Sequence, residues 1–589
     1  MSRLKIYGTM VVFFIVLLVG LTTIKDYGIN WDEPVHYLRG QAYLRYFLTG
    51  KKNYDDLPKL RSHYSKFDRY QLPTDITYEN ESSFRRSIYQ FDREGKRLMF
   101  SWFIDNDSGH PPLNGILASF FNYILYQKLG VFGDMESYHV FIVFVSAMLT
   151  ASVFLFTAYY YGIFSALVAS FTLFLYPLFF SESHFNIKDP VEASFYSIAI
   201  IIFVNGVIKE KWKLLLISAV FFGFALGTKF NIFFALITIF FWLVIYKFEK
   251  LKKREWPFSI SITMAIISIP FISSAILFFS WPFLWKNSWQ HFLSILSYYK
   301  DIGTTSYQVK RGIFLGFNTY ALQWILFTTP LVTLFLSTFG IVFAFLRGFK
   351  EKEKTALLVL FWLVVPIARV TMPNAGIYGG VRQIMEFVPA MAILAGIGAR
   401  YIVTLLQGSI VLYKKQLNNK TIQQLSPKTT LLALQVLSIL MFVPITLKLI
   451  SIHPNENVYF NPLIGGLRGA KERNLPDWGT TLGSVNKQGV DWLNVYAEPD
   501  AKLTLIKGFT SNIPRTMLRE DINFYDKYYS GNKMRGEYLM EVIDYRWNED
   551  ILEEKRKYLQ TLKPLFEVKV DDTTILTIWK NDEKHSGKK

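Results

Sequence analysis

The sequence predicts a polytopic α-helical membrane protein that ends in a small α/β domain outside the membrane. Runs of roughly 16 to 23 mostly apolar residues recur from the N-terminus to about residue 450, and each can cross a hydrocarbon core of roughly 30 Å. Of the 589 residues, 51% are hydrophobic and 17% aromatic. Beyond residue 450 the pattern alternates between helix-like and strand-like segments. The chain has no cysteine, which excludes disulfides and thiolate metal sites.

The charge of the chain is unevenly distributed. The net charge is +18, yet residues 451–589 contain 21 basic and 21 acidic residues, and residues 25–137 contain 15 of each. The excess therefore lies at the N-terminus and between the later apolar runs, where Lys and Arg set the orientation of membrane spans. This distribution does not indicate a nucleic-acid partner.

The apolar runs predict about eleven transmembrane helices. The first follows a basic start, MSRLK, but lacks the small-residue cleavage motif of a signal peptide, so we interpret it as a retained span. The predicted spans are 8–24, 138–158, 162–180, 191–208, 213–227, 231–247, 258–280, 322–346, 356–371, 383–405 and 430–450.

One further apolar run, 111–128, decides the orientation of every later loop. With eleven spans and a cytoplasmic N-terminus, the inner loops hold 16 Lys or Arg residues against 7 in the short outer loops. A span at 111–128 would reverse this distribution, against the positive-inside rule. The run also contains Asn114, Asn122 and Gln127, and its apolar residues recur at helical spacing on one face. We therefore predict an amphipathic helix in the outer membrane interface.

This topology divides the chain into two parts. Residues 1–450 form a transmembrane domain with a large outer loop, 25–137, and residues 451–589 form an extracytoplasmic α/β domain. In the latter, 502–509 is typical of a strand and 566–579 of a hairpin about Asp571 and Asp572. We expect a multi-pass protein of a bacterial plasma membrane, with its active site and C-terminal domain outside.

Five polar clusters fall at the outer ends of the predicted spans. Ionisable residues at membrane depth are costly and usually mark function, so their convergence predicts a site at this surface. The clusters are NWDEPVH (30–36), DSGHPPL (107–113), SHFNIKDP (183–190), GTKF (227–230) and GGVRQIMEF (379–387).

The charged residues of these clusters suit sugar transfer from a lipid phosphate. Carboxylates can take a proton from an acceptor hydroxyl or hold a divalent cation, and Lys or Arg can bind a phosphate and neutralise it as it leaves. The candidate carboxylates are Asp32, Glu33 and Asp189, and the candidate phosphate-binding cations are Lys188, Lys229 and Arg382.

In their order along the chain these motifs resemble the polyprenyl-phosphate-dependent membrane glycosyltransferases of the protein O-mannosyltransferase and aminoarabinose-transferase type, a glycosyltransferase family 39-like group with the C-type glycosyltransferase fold. The resemblance covers most of residues 8–405. Its motifs are an acidic pair after the first span, HPPL before an interfacial helix, an Asp at the head of the fourth span, a Thr-Lys after the fifth and a GxR sequence before a late span; the residues are Asp32, Glu33, 110–113, Asp189, Thr228, Lys229, Gly380 and Arg382.

The resemblance implies inverting transfer of a single sugar from an undecaprenyl- or dolichyl-phosphate donor to an extracytoplasmic acceptor on protein, lipid or cell-wall glycan. Asp32 would be the base, supported by Asp189, and Lys229 and Arg382 would contact the donor phosphate. Relatives often have an Arg at the start of the second span, where this chain has His139 in SYHVFIVF. Gln383 is a second departure and bears on which sugar is accepted.

Other interpretations of single residues are open. Asp32 and Glu33 can cap a juxtamembrane helix, and Lys188 can reach along apolar surface to the interface. His36 lies one helical turn beyond Asp32, so it can either pack at the interface or join Asp32 and Glu33 in a site for Mg, Mn or Zn. His110 precedes two prolines, where it either sets a turn or contacts a substrate.

Other functions compete with sugar transfer. A polyprenyl-lipid transporter or flippase usually shows internal symmetry and polar residues at the membrane midplane, whereas the polar clusters here lie at one face and no repeat is visible. A non-enzymatic membrane module is a further alternative. A glycan ligase, which moves a preassembled glycan, is closer in chemistry and stays open.

Overall fold

The described residues up to Ile452 form a bundle of helices, and the tail domain packs on one end of it. The computed structural model describes residues 3–57, 85–90, 99–304, 313–350, 353–373, 375–416, 426–507, 512–514, 517–543 and 549–587. The helices at the predicted spans are Arg3–Thr23, Asp134–Tyr161, Ile163–Phe174 with Pro177–Phe185, Asp189–Ile208, Trp212–Leu226, Phe233–Tyr246, Ile260–Ser280, Tyr320–Thr328 with Leu331–Arg347, Lys354–Thr371, Phe387–Gln416, and Pro427–Leu440 with Val443–Ile452.

Shorter helices connect or cover these. Outside the tail they are Glu33–Thr49, Phe100–Asn106, Leu113–Asn122, which continues as a π-helical turn Tyr123–Lys128, Phe248–Lys252 and Ser288–Thr304, with 3-10 turns Ile24–Asp26, Phe230–Ile232, Pro282–Trp285 and Arg382–Ile384. A small hairpin joins β1 (Ile313–Phe314) to β2 (Phe317–Asn318).

Among the described residues, seven helices are long and apolar enough to cross a membrane, which confirms a multi-pass membrane protein. The number is nine if each of two bent pairs is one span, and the bends measure 62° before Pro177–Phe185 and 118° before Leu331–Arg347. Both bends fall at a proline, which cannot continue a helix without losing a backbone hydrogen bond.

The predicted count of eleven is not reproduced as eleven full-length spans. The two remaining apolar helices are Trp212–Leu226 and Phe230–Tyr246. The first has 15 residues, so it rises only about 22 Å against a hydrocarbon core of roughly 30 Å. The apolar composition of both segments led to their prediction as spans, but composition does not determine where a helix ends.

The helix Phe387–Gln416 lies at the centre of the bundle, where glycines allow close contact with its neighbour Leu331–Arg347. A Cβ added to Gly340 would lie 1.9 Å from the carbonyl oxygen of Leu394, and one added to Gly398 would lie 1.9 Å from that of Leu336. Close backbone approach through small residues is a usual means of helix association in membranes. The central helix thereby gives a firm base to the loop that precedes it.

The helix predicted at 111–128 is present and is not among the long apolar helices. Its polar residues face the protein: the amide nitrogen of Asn114 donates to the carbonyl oxygen of Ile187 (3.0 Å), and that of Asn122 donates to the Asp134 carboxylate (2.7 Å). The breaks in its apolar pattern are therefore sites of packing against the neighbouring helices.

The tail is a small α/β domain, as predicted. Its sheet has the order β4-β3-β5-β7-β6, with β3 parallel to β4 and β5, and β7 antiparallel to β5 and β6. The strands are β3 (Lys502–Lys507), β4 (Asn523–Phe524), β5 (Tyr538–Val542), β6 (Pro564–Val570) and β7 (Thr573–Lys580). The helices are Gly466–Glu472, Asn486–Tyr496 and Glu549–Leu559, with 3-10 turns Glu456–Val458, Asp526–Tyr528, Gly531–Lys533 and Glu583–His585.

The predicted hairpin about Asp571 and Asp572 is confirmed. Val570 pairs with Thr573, and both aspartates have positive φ, 48° and 59°. Two successive residues with positive φ form the turn whose twist matches that of antiparallel strands.

Candidate active site

Asp32 lies in a loop between the first helix and Glu33–Thr49. The helix can begin at Glu33 because Pro34 lies in its first turn, where a missing N–H costs nothing. The carboxylate of Asp32 is 26% exposed, and its Oδ2 lies 2.9 Å from Lys188 Nζ and 3.6 Å from an Arg382 guanidinium nitrogen. Burial raises the pKa of Asp32, but Lys188 and Arg382 outweigh burial and hold the pKa below its ordinary value.

Asp189 begins the helix Asp189–Ile208, with Pro190 in the first turn. Its Oδ1 accepts from Lys229 Nζ at 2.8 Å, and its Oδ2 accepts from Arg382 at 2.7 Å and from the Asn186 amide at 3.0 Å. The side chain is 1% exposed. Asp189 is therefore fully engaged in holding the two cations.

Arg382 joins the two carboxylates, since its Nη1 contacts both Asp32 and Asp189. It follows Gly379 and Gly380, whose φ values of 65° and 75° are disfavoured for residues with a side chain. A Cβ on Gly380 would also lie 2.9 Å from the Trp324 ring. The GxR motif is thus a tight turn that aims the guanidinium at the acids.

Lys229 is positioned by the segment after the helix Trp212–Leu226. Its Nζ also donates to the carbonyl oxygen of Gln383 at 3.3 Å, and Asn231 and Arg369 donate to the same oxygen, each at 2.9 Å. The part of Gln383 in these contacts is its backbone. We call the five charged residues Asp32, Lys188, Asp189, Lys229 and Arg382 the ion cluster.

Glu33, although adjacent to Asp32, belongs to a different set of contacts. It is fully buried and accepts hydrogen bonds from the Tyr37 hydroxyl (2.6 Å) and the Asn30 backbone N–H (2.8 Å). His139 Nε2 lies 3.2 Å from its Oε1. Burial raises the pKa of Glu33 against the opposing effect of His139. We call Asn30, Glu33, Tyr37 and His139 the Glu33 network.

His36 is buried and His110 is half-buried beside the ion cluster, with ring centres 6.5 Å apart. His36 Nδ1 lies 3.1 Å from an Arg39 guanidinium nitrogen, and His110 Nδ1 lies 2.8 Å from the Tyr299 hydroxyl. Burial lowers the pKa of both imidazoles, and nearby Arg and Lys side chains lower it further. Both are therefore neutral at pH 7 and able to donate or accept hydrogen bonds.

The predicted metal candidates are not brought together. Within the described ranges, no group of three or more His, Asp or Glu side chains could hold a metal ion. Glu33 faces His139, His36 faces Arg39, and Asp32 faces Lys188 and Arg382. A divalent cation at Asp32 would meet two positive charges, so the residues present do not fit a metal site.

Sequence reasoning missed several buried acids near the ion cluster. Glu182 is 1% exposed and accepts from the Asn186 amide at 2.6 Å. Glu192 and Glu386 are also buried, and Glu386 lies 3.5 Å from Arg369. Glu182 lies just after the predicted span 162–180, and Glu192 and Glu386 lie within the first residues of the predicted spans 191–208 and 383–405. The cost of a charge at membrane depth was therefore the signal that could have found them.

A family model described as dolichyl-phosphate-mannose-protein mannosyltransferase matches residues 110–273. This segment contains His110, Lys188, Asp189 and Lys229. The match confirms the resemblance to membrane glycosyltransferases that use a polyprenyl-phosphate donor. No curated protein matches the sequence at a significant score.

Two solved structures are similar to this chain over nearly its whole length. One is the crystal structure of ArnT from Cupriavidus metallidurans bound to undecaprenyl phosphate, with 12% identity, a TM-score of 0.47 and 99% of each chain covered. Another is the oligosaccharyltransferase AglB from Archaeoglobus fulgidus in complex with an inhibitory peptide and a dolichol-phosphate, with 13% identity, a TM-score of 0.45, and 99% of this chain and 75% of that chain covered.

Proposed function

We propose that the protein transfers a single sugar, with inversion, from a polyprenyl-phosphate donor to a hydroxyl group of an acceptor outside the cytoplasm. One observation carries the proposal: Arg382 contacts both Asp32 (3.6 Å) and Asp189 (2.7 Å). A proton acceptor and a phosphate-binding cation are therefore already adjacent. Single-step sugar transfer from a phosphate needs both groups within reach of one anomeric carbon.

Asp32 is the proposed general base. Its carboxylate is 26% exposed, whereas that of Asp189 is 1% exposed and engaged by two cations. Lys188 and Arg382 hold the pKa of Asp32 below its ordinary value, so the carboxylate is ionised, and it becomes a stronger base once the donor phosphate takes over these cations. The acceptor oxygen then attacks the anomeric carbon from the face opposite the phosphate, which inverts the configuration.

Lys188, Lys229 and Arg382 are the proposed phosphate-binding residues. As the bond between the anomeric carbon and the phosphate oxygen breaks, its electron pair stays on that oxygen and the lipid phosphate gains charge. Cations fixed in a buried site stabilise such charge more strongly than cations in water. Asp189 holds Lys229 and Arg382 in place, at 2.8 and 2.7 Å.

The remaining predicted contacts are assigned to substrate recognition or support. His36 and His110, both neutral, are proposed to hydrogen-bond the sugar or the acceptor, and Gln383 is proposed to hold Lys229 through its carbonyl oxygen. Glu33 and His139 are proposed to support the Asp32 loop from its buried side.

The proposed orientation follows from charge. The basic loops 209–213, 247–254 and 347–354 lie at the cytoplasmic side by the positive-inside rule, and the ion cluster belongs to the opposite ends of the same helices. The active site and the tail would then face the outside of the plasma membrane.

The test is a transfer assay with purified protein in lipid nanodiscs and a panel of polyprenyl-phosphate sugars. We expect at least one donor to release free polyprenyl phosphate, and Asp32→Asn to abolish most of this release. Asp105→Asn is the matched control, since Asp105 also pairs with a lysine, Lys286 at 2.6 Å, but is 43% exposed and lies outside the ion cluster. Lipid movement across vesicles, with no release from any donor, would instead identify a transporter.

A further inference from the structure

A short segment of the tail contacts the two loops that position Asp32 and Arg382 of the ion cluster. We call residues 476–484, PDWGTTLGS, the tail strap. The C-terminal end of the strap binds the loop that leads to Asp32. The carbonyl oxygen of Leu482 accepts from the Trp31 N–H at 3.2 Å, and the Ser484 hydroxyl accepts from the Gly28 N–H at 3.2 Å. A backbone loop from the start of the chain is thus bound to the tail.

The contact with the Asp32 loop is close and excludes water. The Asn512 amide nitrogen donates to the carbonyl oxygen of Ile29 at 2.6 Å, and Ile29 is fully buried. A Cβ added to Gly28 would lie 2.3 Å from the carbonyl oxygen of Ser484. Asn512 in turn lies against the strap, since a Cβ added to Gly483 would lie 2.6 Å from its amide carbon.

The N-terminal end of the strap binds the turn that positions Arg382. Asp477 Oδ2 accepts from the Gly379 N–H at 2.7 Å and from the Tyr320 hydroxyl at 2.6 Å, and this hydroxyl accepts from the Gly380 N–H at 2.9 Å. The indole N–H of Trp324, whose ring packs on Gly380, donates to the carbonyl oxygen of Pro476 at 3.1 Å.

The backbone of the strap is itself held in an unfavourable conformation. Asp477 and Leu482 have φ values of 63° and 58°, in the left-handed region that residues with a side chain avoid. Such conformations persist where surrounding contacts determine them, and they concentrate at functional sites. Both residues contact one of the two loops: Asp477 accepts from Gly379 of the Arg382 turn, and Leu482 accepts from Trp31 of the Asp32 loop.

We propose that the tail strap is a positioning element of the active site, which fixes Asp32 relative to Arg382 by binding both of their loops. The positioning residues are Asp477 in the strap and Asn512, which packs against the strap at Gly483 and binds Ile29. The catalytic part of this inference rests on the proposed function. A displacement of about 1 Å between reacting groups costs roughly 100-fold in rate, so loss of either anchor should lower turnover although neither residue touches the substrate.

The first test uses Asn512→Asp, which keeps the size of the side chain but replaces the donor to Ile29 with a carboxylate. Asn494→Asp is the matched control, because Asn494 donates to the carbonyl oxygen of Met517 at 2.7 Å within the tail and contacts neither loop. Since the natural chain has no cysteine, Ile29→Cys introduces a single buried thiol whose reaction with a maleimide reports opening of the Asp32 loop.

In the Ile29→Cys background, we expect Asn512→Asp to raise the labelling rate and to lower kcat, each by roughly 10-fold or more. The KM for the donor should change little, because the phosphate-binding cations are intact. Asn494→Asp should change neither quantity. Unchanged labelling in Asn512→Asp, or faster labelling with unchanged kcat, would overturn the proposal.

The second test addresses the Arg382 side. Asp477→Ala removes the acceptor for Gly379 and Tyr320, whereas Asp477→Asn keeps one oxygen that can accept from both. We expect kcat to fall roughly 10-fold in Asp477→Ala and to stay near the parent value in Asp477→Asn. Thermal unfolding curves should show that both variants are folded. Equal kcat in the two variants would overturn this anchor. A parent protein inactive with every donor would overturn the proposed function, while the labelling result would still decide whether the strap holds the loop.

Discussion

Asp32 and Glu33 are neighbours in the sequence, yet they belong to regions with opposite properties. In the ion cluster, Asp32 is 26% exposed and faces two cations, Lys188 at 2.9 Å and Arg382 at 3.6 Å. In the Glu33 network, the carboxylate is fully buried and its oxygens are occupied by Tyr37, Asn30 and His139. The same chemical group is thus partly exposed beside cations in one region and enclosed by hydrogen-bond partners in the other.

The difference shows that the charge of its partners and its exposure to solvent determine the role of a carboxylate at such a site. A carboxylate whose partners are cations can release them to an incoming phosphate and then take a proton, while a fully buried carboxylate with both oxygens hydrogen-bonded rigidifies its surroundings. The two regions also depend on each other, since Glu33 fixes the backbone of Asn30 and so the loop that carries Asp32.

The largest effect is expected for Asp32→Asn, which removes the proposed base from the ion cluster. We expect kcat for sugar transfer to fall about 1000-fold, with binding of polyprenyl phosphate retained or tightened because a negative charge beside the cations is lost. Release of the lipid phosphate and its equilibrium binding measure the two quantities. A loss of less than about 10-fold would assign the chemistry elsewhere.

A smaller loss is expected for Arg382→Gln. Removal of one fixed charge-stabilising group costs about 100- to 1000-fold in kcat, and here it should also weaken binding of the lipid phosphate. Arg468→Gln is the control, since Arg468 pairs with Glu472 at 2.8 Å on the surface and is 68% exposed. Unchanged binding of the lipid phosphate in Arg382→Gln would show that Arg382 does not bind the donor phosphate.

Glu33→Gln probes the other side of the comparison. We expect a change in kcat of less than about 10-fold and a loss of about 2 kcal/mol in the free energy of unfolding, because an amide cannot accept from all three donors of the network. Thermal unfolding in detergent and the transfer assay measure the two effects. A loss of turnover as large as that of Asp32→Asn, at unchanged stability, would place Glu33 in the chemistry and erase the contrast.

The smallest effect is expected for His453, which contacts two further acids, and it depends on pH. His453 Nε2 lies 2.9 Å from Asp26, and its Nδ1 lies 2.7 Å from Glu456, which also accepts from Tyr27. Burial lowers the pKa of His453, but the hydrogen bonds of Glu456 and Asp26 outweigh it and raise the pKa to about 8.

Because this pKa is raised above the unfolded value of about 6.5, the protonated imidazole stabilises the folded state by up to about 2 kcal/mol below that pH. This stabilisation is lost as the pH rises from about 6.5 through about 8. We expect His453→Asn to lower the melting temperature at pH 6 and to leave it nearly unchanged at pH 9. An equal shift at both pH values would show that the imidazole acts by packing alone.

Much of the ion cluster could be predicted from the sequence, because ionisable residues at membrane depth are costly and therefore stand out beside apolar runs. Asp32, Lys188, Asp189, Lys229 and Arg382 were all candidates, and the structure brings them together. The placement of Glu33 could not be predicted. Whether one of two adjacent acids faces a site or the core depends on where a helix begins and on distant partners such as His139.

The tail strap also lay beyond the reach of the sequence. Its contacts use backbone groups and small side chains, as in Leu482, Ser484 and Gly28, and such groups leave no charge or periodic pattern. The sequence also did not show that two of the eleven predicted spans, Trp212–Leu226 and Phe230–Tyr246, are shorter helices of 10–17 residues among the described residues.

The contact between Gly28 and Ser484 joins residues 456 positions apart, and that between Ile29 and Asn512 joins residues 483 positions apart. A ribosome that adds 5–20 residues per second needs roughly half a minute to a minute and a half to make the intervening chain. During that interval the newly inserted N-terminal segment has no partner from the tail. Translation order thus separates membrane insertion of the bundle from completion of the site. A chain cut short before residue 476 would contain every helix of the bundle but lack the segment that contacts the Asp32 and Arg382 loops.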